Sequence, residues 1–544
     1  MVQYRATTMA RKGMVTSPHY LASQAGLYVL KEGGNAIEAA IAMASTIAVV
    51  YPHMNGIGGD NFWLIYNAKN GEIKAINGSG KSGEKASIEF YRSQGCESIP
   101  ARGPLAANTV PGAVRGWDTA YRYGQEKMGS TKSWGNLLEQ AVQYAKEGFP
   151  VTPSQHRWTK INLDEEDSTF RALGRFEEFA RIFLKDGKPY EVGDIFIQED
   201  LANTLELIAR NGADYYYDSE LTERMVEDLQ KHGGLLTTDD FKNHTSELME
   251  PISVPYRDCI AYNLPPNTQG IASLSILNIL NHFNMEEIEE GSAMYYHVLT
   301  EAVKHAFRDR DKYLTDPAFI HIPVGDLLSP ERGAAYAEKI RNHSNAGTLP
   351  AMDPKGDTVW FAAVDEEGNA VSCIQSIYHE FGSAFIPEGT GVLLQNRGCF
   401  FSLDEKHVNS LKPRKRSFHT LNSAMMMKNG RPVLIYGTMG GEGQPQTQAL
   451  LATRIIDYGM NVQEAIEAPR FLYGRTWGAD SNTLKVESRI PEKVRRELER
   501  YGHVVEAVEE LTELMGHAGA IYIDEKGVKY GGADPRGDGM ALGY

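Results

Sequence analysis

A threonine sits in this chain where a single backbone break would turn it into a complete catalytic unit. The segment 344–357, SNAGTLPAMDPKGD, is rich in Gly, Pro and Asp and reads as a loop, and Thr358 follows it as the first residue of an apolar run. Threonine opening a strand is ordinary, because its β-branched side chain suits extended backbone. Its position adds a second meaning. Cleavage of the Asp357–Thr358 bond would leave one residue bearing a free amine and a hydroxyl, so nucleophile and general base would come together.

Spacing supplies a partner for that hydroxyl. Val359 to Val364 and Ala370 to Ile377 read as strands joined by the turn Asp365-Glu366-Glu367-Gly368-Asn369. If they pair, Val364 faces Ala370, and counting outward sets Thr358 opposite Ser376, with Tyr378 on the same face. A one-residue slip would undo this arrangement. Further on, Gly437-Thr438-Met439-Gly440-Gly441 lies between a strand, Val433 to Tyr436, and a helix that begins near Gln446. Consecutive N–H groups there can converge on developing negative charge, or the glycines simply form a strand-to-helix turn.

Other motifs carry less. Gly80-Lys81-Ser82 suggests a phosphate loop, but that motif needs a glycine at position 75, where Ala75 stands, so NGSGKSG reads as a turn. His379, Glu380 and His419 are acid/base candidates without metal-ligand spacing, and a solvated or satisfied side chain is the plainer reading of each. No pattern asks for a metal ion or a cofactor.

The elements that must hold these residues are legible in outline. Ser17-Pro18 reads as an N-cap and first turn of a helix that Gly33-Gly34 stops, and an alanine-rich helix starts at Asn35. Phe62 to Tyr66 and Glu72 to Ile76 read as strands around the turn Asn70-Gly71. From about Arg115 to Asn342 helices dominate, among them Leu137 to Lys146, Leu201 to Arg210 and Ile271 to Phe283, with strand-like matter around Ile252 to Leu264. Strands return after the loop, at Gly391 to Leu394, Ser423 to Met427 and Val433 to Tyr436, with Asn429-Gly430 as a hairpin turn.

Composition narrows the class. The 544 residues, 42% hydrophobic and 23% charged, suit a globular body of two packed regions or one intertwined α/β unit. Lys plus Arg number 55 against 71 Asp plus Glu, and no basic run tracks a phosphate backbone, which argues against nucleic acid as partner. Cys96, Cys259, Cys373 and Cys399 form no CxxC pair, and the last two, in strand-like runs, read as buried inert thiols. The N-terminal stretch lacks a secretory apolar core and the longest apolar run, Ala36 to Val50, contains Glu38, so the expectation is a cytoplasmic protein with no membrane span.

Taken in order, these pieces resemble the γ-glutamyltranspeptidase family, which includes the cephalosporin (glutaryl) acylases. The similar segments are GGNAIEAAIA at 33–42, NGIGGDNFWLIY at 55–66, NTVPGAVRGW at 108–117, GDTVWFAAVDEEGNAVS at 356–372, GTMGGEGQPQ at 437–446 and DYGMNVQEAIEAPRF at 457–471. The resemblance implies an α+β fold, the four-layer αββα sandwich of N-terminal-nucleophile hydrolases. It also implies a precursor that cuts itself at Asp357–Thr358 into a helix-rich large subunit, 1–357, and a strand-rich small subunit, 358–544. By motif, Thr358 matches the nucleophile and base, Ser376 a threonine that hydrogen-bonds it, and Gly440 and Gly441 the oxyanion-binding pair.

Departures from the family pattern are equally specific. Ser79 stands where an arginine usually grips the substrate's α-carboxylate. Tyr378 replaces an asparagine, Arg397 a glutamine and Phe400 an aspartate, and a pair of serines becomes His419-Thr420. The expected activity is hydrolysis of γ-glutamyl amides such as glutathione, with possible transfer to amine acceptors. A glutaryl or cephalosporin acylase is the alternative, and a non-catalytic binding homologue is the rival of another class. Arg397 is the substitute cation for a substrate carboxylate, unless it merely pairs with Glu380 or Asp404.

Overall fold

Layering follows from where the chain is apolar on two faces rather than one. The computed structural model of the protein describes residues 4–167, 170–342, 357–474 and 481–544. The loop read at 344–356 lies outside the described residues. Helix Ala36–Val50 is buried along all of its 15 residues, and its alanines let it lie flat between a sheet and helix Trp134–Glu147. Asn35 and Glu38 close a capping box at its start, and the Glu38 carboxylate also accepts from Thr131 N at 2.7 Å and Lys132 N at 2.5 Å. A buried acid is thereby fully engaged.

Two seven-stranded sheets are present among the described residues. The first runs Met540–Gly543, Met14–Ser17, Asp357–Val364, Ala370–Tyr378, Asp60–Asn67, Glu72–Gly78, Glu247–Met249, every neighbour antiparallel. The second runs Thr8–Ala10, Lys529–Ala533, Ala518–Ile523, Arg431–Thr438, Ala424–Lys428, Cys259–Asn263, Ile252–Tyr256, also antiparallel throughout. Phe62, Trp360, Ile374, Met425, Ile435 and Ile521 form the core between the sheets. Helices Tyr20–Lys31 and Ala36–Val50 cover the first sheet, and Gly270–Leu280, Gly443–Ala452 and Val462–Glu467 cover the second. The result is the αββα sandwich, a single intertwined body in which both sheets contain strands from either side of residue 357.

Three local expectations are corrected. Ser17 ends a strand, and the first helix starts at Tyr20 with His19 as its cap, because Ser17 Oγ turns to the His19 carbonyl at 2.8 Å instead of capping. Gly391 to Leu394 is loop carrying one isolated bridge, Gly58–Leu394. Cys399 lies half-buried in a 3₁₀ turn, Arg397–Phe400, whereas Cys373 is buried in its strand. Among the described residues no helix is long and apolar enough to cross a membrane.

Candidate active site

The hairpin that opens at Asp357 keeps the counted register from Val364–Ala370 down to Val359–Gln375. There it breaks. Asp357 pairs with Tyr378, so Ser376 and Ile377 together oppose Thr358 in a β-bulge. Thr358 thus still lies across from Ser376, but the bulge interrupts the alternation expected for Tyr378, whose φ is +82°. Ser376 Oγ accepts from Tyr378 N at 2.8 Å, which orients the hydroxyl. Thr358 and Ser376 are both buried in the intact chain. On the far side Ser376 pairs with Asp60, and Gly59 must lack a side chain because a Cβ there would fall on the Ser376 carbonyl.

The glycine turn approaches from the second sheet. Trp360, two residues after Thr358, lays its indole where a side chain on Gly437 would be, three residues before Gly440. Gly440 and Gly441 take φ of +113° and +52°, and the first value is one that a residue with a Cβ rarely adopts. Gly443 N donates to Gly440 O at 2.7 Å, so helix Gly443–Ala452 begins directly behind the pair and its N-terminal end adds positive potential there. Such a turn can present two N–H groups to an oxyanion.

The substituted positions gather beside this hairpin. Arg397 is buried, and its guanidinium stacks on the Tyr378 ring at 3.8 Å. Its Nη1 reaches Thr420 Oγ1 at 3.5 Å, while Nε and Nη2 find no acceptor among the described residues. Neither Glu380 nor Asp404 serves it, which disposes of that alternative. Burial lowers the Arg397 guanidinium to about 10 and leaves it charged at neutral pH. Phe400 closes the far edge of Tyr378 at 5.9 Å. Ser79 donates to Asn77 Oδ1 at 2.6 Å, and the arginine against its carbonyl, Arg416 at 3.1 Å, is already taken by Glu247 at 2.7 Å.

His419 is satisfied rather than solvated. Its Nδ1 accepts from Leu421 N at 3.4 Å, so Nε2 carries the proton it shares with Asp60 Oδ2 at 3.2 Å. Burial, then the Arg397 charge, hold His419 well below its ordinary range. His379 bonds Asn396 at 2.7 Å and meets the Phe170 ring.

Sequence reasoning passed over Asp60 although it stood in a quoted motif. Its Oδ1 accepts from Gly80 N at 3.0 Å, Gly112 N at 3.2 Å and Gln395 Nε2 at 3.0 Å, besides the His419 contact. One carboxyl therefore ties four separate chain segments around the site. Burial pushes it up to about 7, and the bonds from Gly80, Gln395 and Gly112, with the Arg397 charge, limit the rise. The one available signal was a lone acid heading an apolar strand. Glu442, which follows the glycine pair, stood in the quoted segment 437–446 but was given no role, and Gln269 and Arg310, which adjoin the same turn, left no sequence signal.

A buried group elsewhere, His297, Glu301 and His503, brings one ligand atom from each within 4.8 Å of the others, which linear spacing had not shown. Lys304 Nζ already pairs with Glu301 at 2.7 Å, and that ammonium opposes a divalent cation.

The gamma-glutamyltranspeptidase family profile matches residues 22–544. The chain belongs to that family. It is 48% identical over 540 residues to the glutathione hydrolase-like YwrD proenzyme of Bacillus subtilis (strain 168), covering 99% of each chain. To the oxamate amidohydrolase proenzyme of Klebsiella pneumoniae it is 42% identical over 539 residues, 99% of this chain and 100% of the other. The solved cephalosporin acylase from Bacillus halodurans superposes with a TM-score of 0.90 at 34% identity, covering 100% of this chain and 98% of that one. As a gamma-glutamyltranspeptidase family member of N-terminal-nucleophile fold, the protein is an amidohydrolase-type enzyme whose relatives bear proenzyme names. Those relatives differ in the amide they are named for, so the family leaves the acyl group open.

Proposed function

We propose that the protein is a self-processing threonine amidohydrolase whose acyl substrate carries a carboxylate received by Arg397. Cleavage at Asp357–Thr358 frees the Thr358 amine, giving pieces 1–357 and 358–544. The amine takes the hydroxyl proton as Oγ1 attacks the amide carbon, Ser376 supports the hydroxyl, and the Gly440 and Gly441 N–H groups receive the oxyanion. The resulting ammonium protonates the leaving amine, and water releases the acid from the threonyl ester. An amine acceptor in place of water gives transfer.

The observation that carries the substrate class is the pair of unserved Arg397 donors, Nε and Nη2, in a wholly buried side chain. Leaving such groups without an acceptor is costly, and a planar carboxylate suits their fork. A guanidinium gives an α-amino group nothing to bind, so the demand for one is weaker than in a transpeptidase that holds a γ-glutamyl group by both ends. γ-Glutamyl amides such as glutathione remain substrates on this reading, and glutaryl amides are cleaved at least comparably. The oxamate name of one relative favours very short carboxylate amides as members of the same class.

The test is hydrolysis of γ-glutamyl and glutaryl chromogenic anilides, oxamate, and a butyryl anilide without a carboxylate, side by side on matured protein. Faster cleavage of the butyryl compound than of every carboxylate compound would reject the substrate class. Turnover by Thr358→Ala would reject the mechanism.

A further inference from the structure

Two consecutive glycines with positive φ make a turn that has little stiffness of its own, since neither side chain restricts the backbone. An oxyanion site needs its N–H groups fixed beforehand. We infer that Gln269, held in place by Arg310 and Glu442, is the positioning residue that fixes the Gly440–Gly441 turn and joins it to the Arg397 side of the site. This rests on the proposed Thr358 chemistry.

Gln269 occupies the N-cap position of helix Gly270–Leu280, yet its side chain does not cap that helix. Instead the wholly buried amide turns outward. Nε2 donates to Gly441 O at 2.8 Å and to Thr420 O at 2.5 Å, and Oε1 accepts from Arg310 Nη1 at 3.1 Å. Both donors and the acceptor are thus spent on the site's framework. Arg310 in turn pairs through Nη2 with Glu442 Oε1 at 2.6 Å, the residue next to Gly441, and its guanidinium lies 3.9 Å from the Phe307 ring centre.

Each peptide plane of the turn then has its own anchor. Thr438 Oγ1 holds the Met439 carbonyl at 2.9 Å, and Gly443 N holds that of Gly440 at 2.7 Å. Gln269, with Gln444 N at 3.3 Å, holds that of Gly441. Among the described residues, Gln269 is the side chain from outside that strand and helix that hydrogen-bonds a carbonyl of the glycine pair. The same amide holds the carbonyl of Thr420, whose hydroxyl is the one hydrogen-bond partner of Arg397 among the described residues. One side chain from before residue 357 therefore spans the oxyanion side and the carboxylate side.

Gln269→Met keeps the length and packing but removes every hydrogen bond. On the best substrate of the panel above, kcat should fall about ten- to a hundredfold with KM within about threefold, less than the loss of an oxyanion donor itself. Hydrogen exchange of the 437–446 segment should accelerate by at least about tenfold while the rest of the chain keeps its protection, with a modestly lower Tm for the buried carbonyls and the Arg310 donor left unpaired. Should Gln269→Met not fold, Glu442→Gln, which loosens Arg310, must show the same kcat-only loss in weaker form. Unchanged kcat with unchanged exchange overturns the inference, and so does a rise in KM alone or a loss of protection throughout the chain. Thr358→Ala, assayed in parallel, separates the two ideas. If it turns over substrate, the chemistry is misassigned, and the exchange result still decides on Gln269.

Discussion

Arg397→Met offers the sharpest perturbation, because activity and stability should move in opposite directions. The guanidinium is buried, stacked on Tyr378 and short of acceptors for two donors, so the folded protein bears its desolvation cost without a compensating ion pair. Methionine fills much of the same length without charge. Removing one member of a buried charge pair typically costs about 2–5 kcal/mol of binding. At about 1.36 kcal/mol per tenfold, that is roughly a 30- to 5000-fold loss in kcat/KM on glutaryl and γ-glutamyl anilides. The butyryl anilide has no carboxylate to lose and should change by less than about threefold. Thermal unfolding of the same variant should show an equal or higher Tm, since an unpaired buried charge has gone. An equal loss on charged and uncharged substrates, or a marked fall in Tm, would refute the reasoning and make Arg397 a structural element.

The remaining predictions concern the chemistry itself. Purified protein should run on a denaturing gel as two pieces, 1–357 and 358–544, whereas Thr358→Ala should stay as one inactive chain; turnover by intact wild-type chain contradicts the amine-as-base mechanism. Ser376→Ala should slow maturation and turnover by about ten- to a thousandfold while circular dichroism stays unchanged, and unaltered kinetics would place the hydroxyl outside the reaction. Gly440→Ala must adopt a φ of +113°, a strain of about 1–3 kcal/mol, so soluble protein should retain little activity. The kcat/KM profile should rise with pH through the Thr358 amine, at or below about 8, because the base must be deprotonated to act. Burial and Arg397 already keep His419 neutral, so His419→Asn should leave the position of that limb where it is, and a displaced limb counts against the assignment.

What the chain disclosed was local. The turn at 365–369 and the alternating strands around it determine a register that holds over six pairs, from Val364–Ala370 to Val359–Gln375. The bulge at Ser376–Ile377 was illegible because Ser376 also meets Asp60, which opens the next strand, and Gly59 just before it, more than 300 residues earlier in sequence. The same holds for Asp60, whose partners His419 and Gln395 stand 359 and 335 positions away. Periodicity reports which face of an element is apolar, not which distant carbonyl a buried amide will meet, and Gln269 was invisible for that reason. Helix starts were misplaced where a cap-like residue served a neighbour, as Ser17 serves His19. The glycine pair was visible as a turn, but its orientation depends on Trp360 and Gln269, which lie outside it.

The departures from the family pattern make physical sense together. An arginine at position 79 would sit on the Glu72–Gly78 side of the site, where Arg416 already occupies the Ser79 carbonyl and Glu247, and a second cation there would face the first. With Ser79 in that place and Arg397 beside Tyr378 and Thr420, the cation lies after residue 357 in the chain rather than before it. Thr358, Ser376, Arg397, Gly440 and Gly441 then all belong to 358–544, and Asp60, Gln269 and Arg310, which brace them, belong to 1–357. Both sheets contain strands from either side of residue 357, so the proposed cut there would leave the braces in place. On the proposed mechanism, cleavage would change the Thr358 backbone nitrogen from amide to amine without disturbing the hydrogen bonds that hold the site, which is the condition for a residue to be made reactive after folding is complete.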